Sequence, residues 1–139
     1  MDYETVQSCT VTVTSTSSDD DTTSTKEFTI ALTDHDEFDV SAPSDTDTDA
    51  NTIAENIANG QPAEITASSS DADLTTNTVT YAITAQSCAG AFAIGENSGI
   101  VTVLDTNAID REAGATCTLE VTATSTDTCL LYTSDAADD

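Results

Sequence analysis

Positive charge is almost missing from this chain: Lys26 and Arg111 are the only fixed cations against 26 carboxylates, giving a formal net charge of −24. Nucleic acid and anionic membranes both need Lys and Arg to displace their counterions, so they are poor partners for such a surface. Tryptophan is absent and histidine occurs once, as His35. A carbohydrate-binding platform therefore lacks its usual aromatic. His35 lies in a polar linker, where a spacer residue offering its carbonyl suits it better than a general base. The chain holds no phosphate-binding Gly-Lys-Ser/Thr loop, no His-Glu-x-x-His, no Gly-x-Ser-x-Gly and no Cys-x-x-Cys pair, so nothing here points to an enzyme. It also has no signal peptide and no apolar run long enough to span a bilayer, so no direct membrane insertion by this stretch is expected.

What the chain does have is a copy of itself. With Asp2 laid on Asp110, an offset of 108 positions, Glu4 falls on Glu112, Cys9 on Cys117, Thr10 on Thr118, Val13 on Val121, Thr16 on Thr124 and Ser17 on Ser125. That offset is about the size of one immunoglobulin-like sandwich, roughly 100 residues, and far longer than a solenoid unit of roughly 20 to 50. It implies a tandem array of β-domains. Such arrays bind, space or stiffen.

A compact state carrying this much negative charge repels itself unless something neutralises part of it. Hard divalent cations such as calcium suit the task, since carboxylate and carbonyl oxygens hold them. The alternative is an acidic surface that is merely solvated. Against disorder stands the patterning of apolar residues alternating with Thr and Ser.

Residues 9–13 and 27–32 read as strands joined across a polar turn at 19–26, and so as a hairpin. Residues 34–49, rich in Asp, Thr and Ser around Pro43, read as a linker. Strands resume at 63–67, 77–83, 91–94, 99–103 and 116–123. The β-branched content favours an antiparallel sandwich. Val79, Tyr81 and Ile83, Phe92 and Ile94, and Leu119, Val121 and Ala123 alternate as inner sheet faces do.

Several motifs together resemble a known family. Ala54-Glu55-Asn56 with Gly60, Asp71-Ala72-Asp73 with Asn77, Val79-Thr80-Tyr81-Ala82-Ile83, Phe92-Ala93-Ile94, Ser98-Gly99-Ile100-Val101, Asp110-Arg111-Glu112 and Leu119-Glu120-Val121-Thr122-Ala123 follow the order of a cadherin repeat. The likeness covers most of residues 34–128. It is similar above all to the cadherin-type repeats of large bacterial surface proteins. It implies an all-β, immunoglobulin-like Greek-key sandwich in tandem: residues 1–37 as the closing hairpin and linker of one repeat, and 38–128 as the next repeat without its last strand.

The same resemblance implies a ligand set for calcium. Asp2 and Glu4 come from the first repeat, Asp34, Asp36 and Glu37 from the linker with His35 among them, and Asp71, Asp73 and Asn77 from the second repeat. Glu55, Asp110 and Glu112 serve the following junction. Each ion needs 6 to 8 oxygens, and close carboxylates repel until it arrives. The linker is then loose without calcium and stiff with it. Three departures bear on this: Asp36 and Glu37 stand where the family's linker has Asn and Asp, Phe38 where it has a final Asn, and Ser125, like Ser17, where it has a further Asp. Two ions per junction are therefore expected rather than three. Asp71 and Asp73 have a plainer alternative as a hydrogen-bonded turn, and Arg111 as an internal partner of the acidic cluster.

Residues 129–139 resemble the translation of a transposase sequencing adapter and are read as non-native. The second repeat is then left with an open sheet edge. Three cysteines remain. In a Greek key the end of the third strand lies beside the start of the sixth, so Cys88 and Cys117 either bridge or stay as two buried thiols. Cys9 is the positional twin of Cys117.

The reading is a calcium-binding, extracellular or cell-surface repeat in calcium-dependent adhesion. Its partners are calcium ions, neighbouring repeats, and like or unlike cell-surface proteins. The alternatives are a calcium-stiffened stalk and, last, a carbohydrate-binding or enzyme-accessory sandwich.

Overall fold

A computed structural model of the 139-residue chain describes residues 2–126 and the backbone of 132–135. These fall into two compact units, residues 1–37 with 73–75, and residues 38–72 with 76–139. Among the described residues there is no α-helix, only a 3-10 turn at Thr106–Ala108.

The first unit is a two-stranded antiparallel hairpin of β1 (Ser8–Thr16) and β2 (Thr23–Ala31), in register from Ser8↔Ala31 to Thr16↔Thr23. Both strands run further toward the turn than composition alone suggests. Thr12, Thr14, Thr16, Thr23 and Thr25 are β-branched and continue the ladder. The turn closes with Ser17 N–H donating to the Thr22 carbonyl at 2.8 Å. Asp21 takes φ 54° there, a conformation that Asp tolerates. Val11, Val13, Phe28 and Ile30 share one face of the hairpin and are all exposed.

The second unit is a sandwich. One sheet has the order β3-β4-β7-β6 and the other β5-β8-β9. Their ranges are β3 Ser44–Asp45, β4 Pro62–Ser68, β5 Val79–Gln86, β6 Phe92–Ile94, β7 Ile100–Val103, β8 Leu119–Ser125 and β9 Tyr132–Asp135. The chain passes from β4 in one sheet to β5 in the other, back to β6 and β7, and over again to β8, as a Greek key requires. Ala63, Ala91, Phe92, Val101 and Val103 meet Leu119 in one part of the core, and Val40 and Ala67 meet Tyr81, Val121 and Ala123 in the other. The alternating positions read from the sequence as inner faces thus line the core. Tyr81 keeps its phenol satisfied there, accepting from Ser69 N–H at 2.8 Å.

Two expectations need correction. The stretch 34–49 is not all linker: Val40 is 1% exposed inside the core, and β3 pairs Ser44 with Ser68 and Asp45 with Ala67. One apolar residue in an acidic run and a two-residue strand leave no periodicity to read. The outer edge of β8, expected to be open, is paired with β9 from Ala123↔Tyr132 to Glu120↔Asp135. Unpaired N–H and C=O groups at a sheet edge recruit whatever extended backbone lies within reach. The boundary expected at 128/129, with Cys129, lies outside the described residues.

Cys88 and Cys117 form a disulfide, with Cα atoms 5.5 Å apart. It joins the segment after β5 to the segment before β8, the two places that the Greek-key order brings together.

Candidate metal centre

In the first unit the chain opens with a tight turn that sets two carboxylates side by side. Asp2 Oδ1 accepts from Glu4 N–H at 3.1 Å and Oδ2 from the Thr5 hydroxyl at 2.7 Å. The Asp2 carbonyl accepts from Val6 N–H at 2.9 Å. Oxygens of Asp2, Glu4 and Glu37 come within 4.8 Å of one another. The Thr5 hydroxyl, and after it the Glu4 carboxyl, hold the Asp2 pKa below its ordinary value. Asp2 in turn raises that of Glu4, to which desolvation and the charge on Asp34 add.

Glu4 also belongs to a second group, with Asp34 and Asp73, again within 4.8 Å. Asp73 is 1% exposed. Its Oδ1 accepts from Glu37 N–H at 3.5 Å, a long contact. Asp34 Oδ2 accepts from Thr75 N–H at 3.2 Å and from the Thr75 hydroxyl, so residues 73–75 are held by both ends of the linker. Both Glu4 oxygens and Asp34 Oδ1 are closed off from solvent and accept no hydrogen bond of good geometry, although the Asp2 carboxyl and the Leu74 N–H lie close enough to Glu4 to shift its pKa. Shielded carboxylate oxygens without well-placed donors are costly. Here three such atoms converge.

The second unit repeats the opening turn. Asp110 Oδ1 accepts from Glu112 N–H at 2.9 Å and Ala113 N–H at 3.2 Å, and the Asp110 carbonyl accepts from Gly114 N–H at 3.0 Å. Glu55 joins them to make a third group within 4.8 Å, all of it exposed. Arg111 meets this group through its backbone N–H, which donates to Glu55 Oε2 at 3.2 Å.

Of the acidic residues expected as ligands, Asp36 and Asp71 fall in none of these groups. Asp71 Oδ2 instead accepts from the Ser125 hydroxyl, and Ser125 Oγ lies 2.9 Å from the Thr76 carbonyl. Ser125 is buried. The residue that reads as a missing ligand is therefore a clasp on Asp71. Sequence reasoning also missed Thr75, and a fourth group made by Asp47, Asp49 and Glu64. The alternating Asp45, Asp47 and Asp49 signal turns, since Asp47 N–H donates to Asp45 and Asp49 N–H to Asp47 at 3.0 and 2.9 Å. Nothing local announces that Glu64 on β4 joins them.

The donors in the three expected groups are carboxylate oxygens, with no imidazole or thiolate. That set suits a hard ion such as calcium and not zinc or copper. The shielded oxygens of Glu4 and Asp34 fit such an ion, and the Asp2, Glu37 and Asp73 carboxylates beside them offer further oxygens.

The model of the cadherin domain family matches residues 50–133. No curated protein sequence matches the chain. Among solved structures, the extracellular domain of protocadherin gammaB4 superposes with a TM-score of 0.74 at 16% identity, over 98% of this chain and 22% of that one. The cis-dimer structure of protocadherin gammaB7 EC3-6 gives 0.72 at 16% identity, over 98% and 34%. Mouse protocadherin-24 EC1-3 gives 0.68 at 24% identity, over 99% and 44%. This chain thus spans less than half the length of each of these structures, and at these identities the likeness is one of fold.

Proposed function

The chain belongs to the cadherin domain family, and from that premise we propose that it is a calcium-binding repeat of a tandem extracellular array that mediates calcium-dependent adhesion. The observation that carries the proposal is the set of shielded oxygens on Glu4 and Asp34, without well-placed donors, beside the buried Asp73. Among the described residues no side-chain cation is paired with this negative charge.

On this reading Asp2, Glu4, Asp34, Glu37 and Asp73 hold calcium in the first unit. Asp36, Asp71 and Asn77 complete the expected set. Glu55, Asp110 and Glu112 form the matching part of a further site, and their exposure suits a place that awaits the linker of a following repeat. A bound calcium ion supplies the charge that lets these carboxylates converge. The protein's own part is to orient them: Thr5 fixes Asp2, Thr75 fixes Asp34, and Ser125 fixes Asp71. Removing the ion leaves the linker carboxylates repelling one another, which ties the stiffness of residues 34–37 to calcium.

The test is a calorimetric calcium titration of the chain beside an Asp34→Asn/Asp73→Asn variant. Binding in the range of extracellular modules, roughly 0.1–1 mM, and lost in the variant, is the expected result. No heat from the parent chain would sink the reading. Coated beads then divide adhesion from a stalk role: beads that aggregate in calcium and disperse in chelator favour adhesion, whereas calcium binding without aggregation favours a spacer.

A further inference from the structure

Asp34 divides its two oxygens between the protein and the candidate ion site. Within the first unit its Oδ2 accepts twice from one residue, from Thr75 N–H at 3.2 Å and from the Thr75 hydroxyl. Its Oδ1 is shielded from solvent and accepts no hydrogen bond of good geometry. A carboxylate has about four lone-pair sites, two on each oxygen. Thr75 therefore fills both sites of Oδ2, while those of Oδ1 are left to the group that Asp34 forms with Glu4 and Asp73.

Other carboxylates of the expected sites are held differently. Asp2 accepts one donor on each oxygen, Glu4 N–H on Oδ1 and the Thr5 hydroxyl on Oδ2, so each oxygen keeps a lone pair for an ion. Asp110 Oδ1 accepts two donors, but both are backbone N–H groups, of Glu112 and Ala113, and deleting a side chain removes neither. At Asp34 one of the two donors is a side chain, which a substitution deletes.

How many oxygens a carboxylate can give decides between ions. Calcium takes 6 to 8 oxygens at roughly 2.3–2.6 Å and accepts both oxygens of one carboxylate, whereas magnesium demands near-ideal octahedral geometry at roughly 2.0–2.1 Å. The narrow bite of a chelating carboxylate suits the first ion and distorts the second.

Resting on the calcium reading above, we propose that Thr75 is a positioning residue that sets ion specificity: by saturating Asp34 Oδ2 it confines Asp34 to coordination through Oδ1 alone, and so narrows the preference for calcium over magnesium. A single aimed oxygen serves both ions. Without the hydroxyl, Oδ2 regains a lone pair and Asp34 can chelate, a gain open to calcium and not to magnesium. Both ions meanwhile lose part of the aim that Thr75 gives Asp34. Outer-shell partners of a metal ligand typically carry roughly 10- to 100-fold in affinity.

The test is calorimetric titration of the full chain with calcium, alone and against magnesium up to roughly 0.1 M, a hundredfold above the weakest extracellular calcium sites, at constant ionic strength. The parent, Thr75→Val and Thr75→Ser are compared. Magnesium should compete in the parent. Thr75→Val should lower magnesium affinity about tenfold and calcium affinity by less, so that the preference for calcium widens. Thr75→Ser keeps the hydroxyl and should keep the parent's preference. Loss of folded protein weakens both ions alike, so the ratio reports the site and not the fold. A ratio unchanged in Thr75→Val overturns the proposal, as does calcium falling by more than magnesium, or a parent in which magnesium does not compete. A parent that binds no calcium is a different result: it sinks the calcium reading, and this inference with it.

Discussion

Glu4 and Asp73 bring carboxylate oxygens within 4.8 Å of one another, with Asp34 as third member of the group. Asp73 is almost wholly buried, and both Glu4 oxygens are shielded without a well-placed donor. Two like charges so placed destabilise each other in a medium less polar than water. On the proposed calcium reading, that cost falls on the ion-free state and is relieved when the ion binds.

Glu4→Gln separates these two effects. It removes one charge from both groups that Glu4 joins, so calcium affinity should fall at least tenfold, about 1.4 kcal/mol. In chelator the same substitution should leave the melting temperature unchanged or raise it. Calorimetry with calcium and thermal melts without it read the two arms. A variant that binds calcium as the parent does would remove Glu4 from the site.

Gly99 takes φ +67°, and a Cβ there would meet the Ala67 carbonyl oxygen at 2.0 Å. That carbonyl's own residue is held close, since Ala67 N–H donates to the Gly99 carbonyl at 2.9 Å. Gly99→Ala must therefore distort the contact between β4 and the β6–β7 turn. A loss of about 2 kcal/mol or more is expected in denaturant unfolding.

The Cys88–Cys117 disulfide closes a loop of sequence separation 29. Its constraint on the unfolded chain is worth roughly 3.5 kcal/mol. Reduction and the double replacement Cys88→Ser/Cys117→Ser should lower stability by similar amounts. Both leave the calcium groups untouched, so calcium affinity should hold.

Asp20 lies in the β1–β2 turn, where the Thr22 hydroxyl and N–H donate to it at 2.7 and 3.2 Å. The hydroxyl first, then the N–H, hold its pKa below the ordinary value. A carboxylate lowered in the folded state stabilises it above the unfolded pKa, and that contribution fades as pH falls through the folded value. Carbon-detected NMR titration should find the Asp20 carboxyl titrating low, and Thr22→Val should return it toward normal.

How far the sequence could be read follows from which signals are local. Leu119, Val121 and Ala123 alternate on one strand, so their burial was legible, as were Phe92 and Tyr81. The all-β sandwich followed from these. Val40 and β3 were not legible, because a lone valine among Asp and Ser gives no period. The paired positions of Glu4, Asp34 and Asp73 followed from the resemblance and not from composition, since their approach depends on the turn at Asp2 and the Thr75 clasp. Glu64 shows the limit most clearly: it meets Asp47 and Asp49 only through the β3–β4 pairing, with φ 55° at a β4 irregularity.

Ser125 offers the sharpest test of the metal reading. Its hydroxyl donates to Asp71, and it is buried beside the Thr76 carbonyl. Ser125→Asp would replace that donor with a carboxylate pressed against another. Without calcium this is a buried like-charge pair, and the melting temperature should fall by several degrees, in line with about 1–3 kcal/mol. If Asp71 faces a calcium ion, the new carboxylate becomes a ligand, and millimolar calcium should recover most or all of the loss. A fall of equal size with and without calcium would show that Asp71 serves the turn alone.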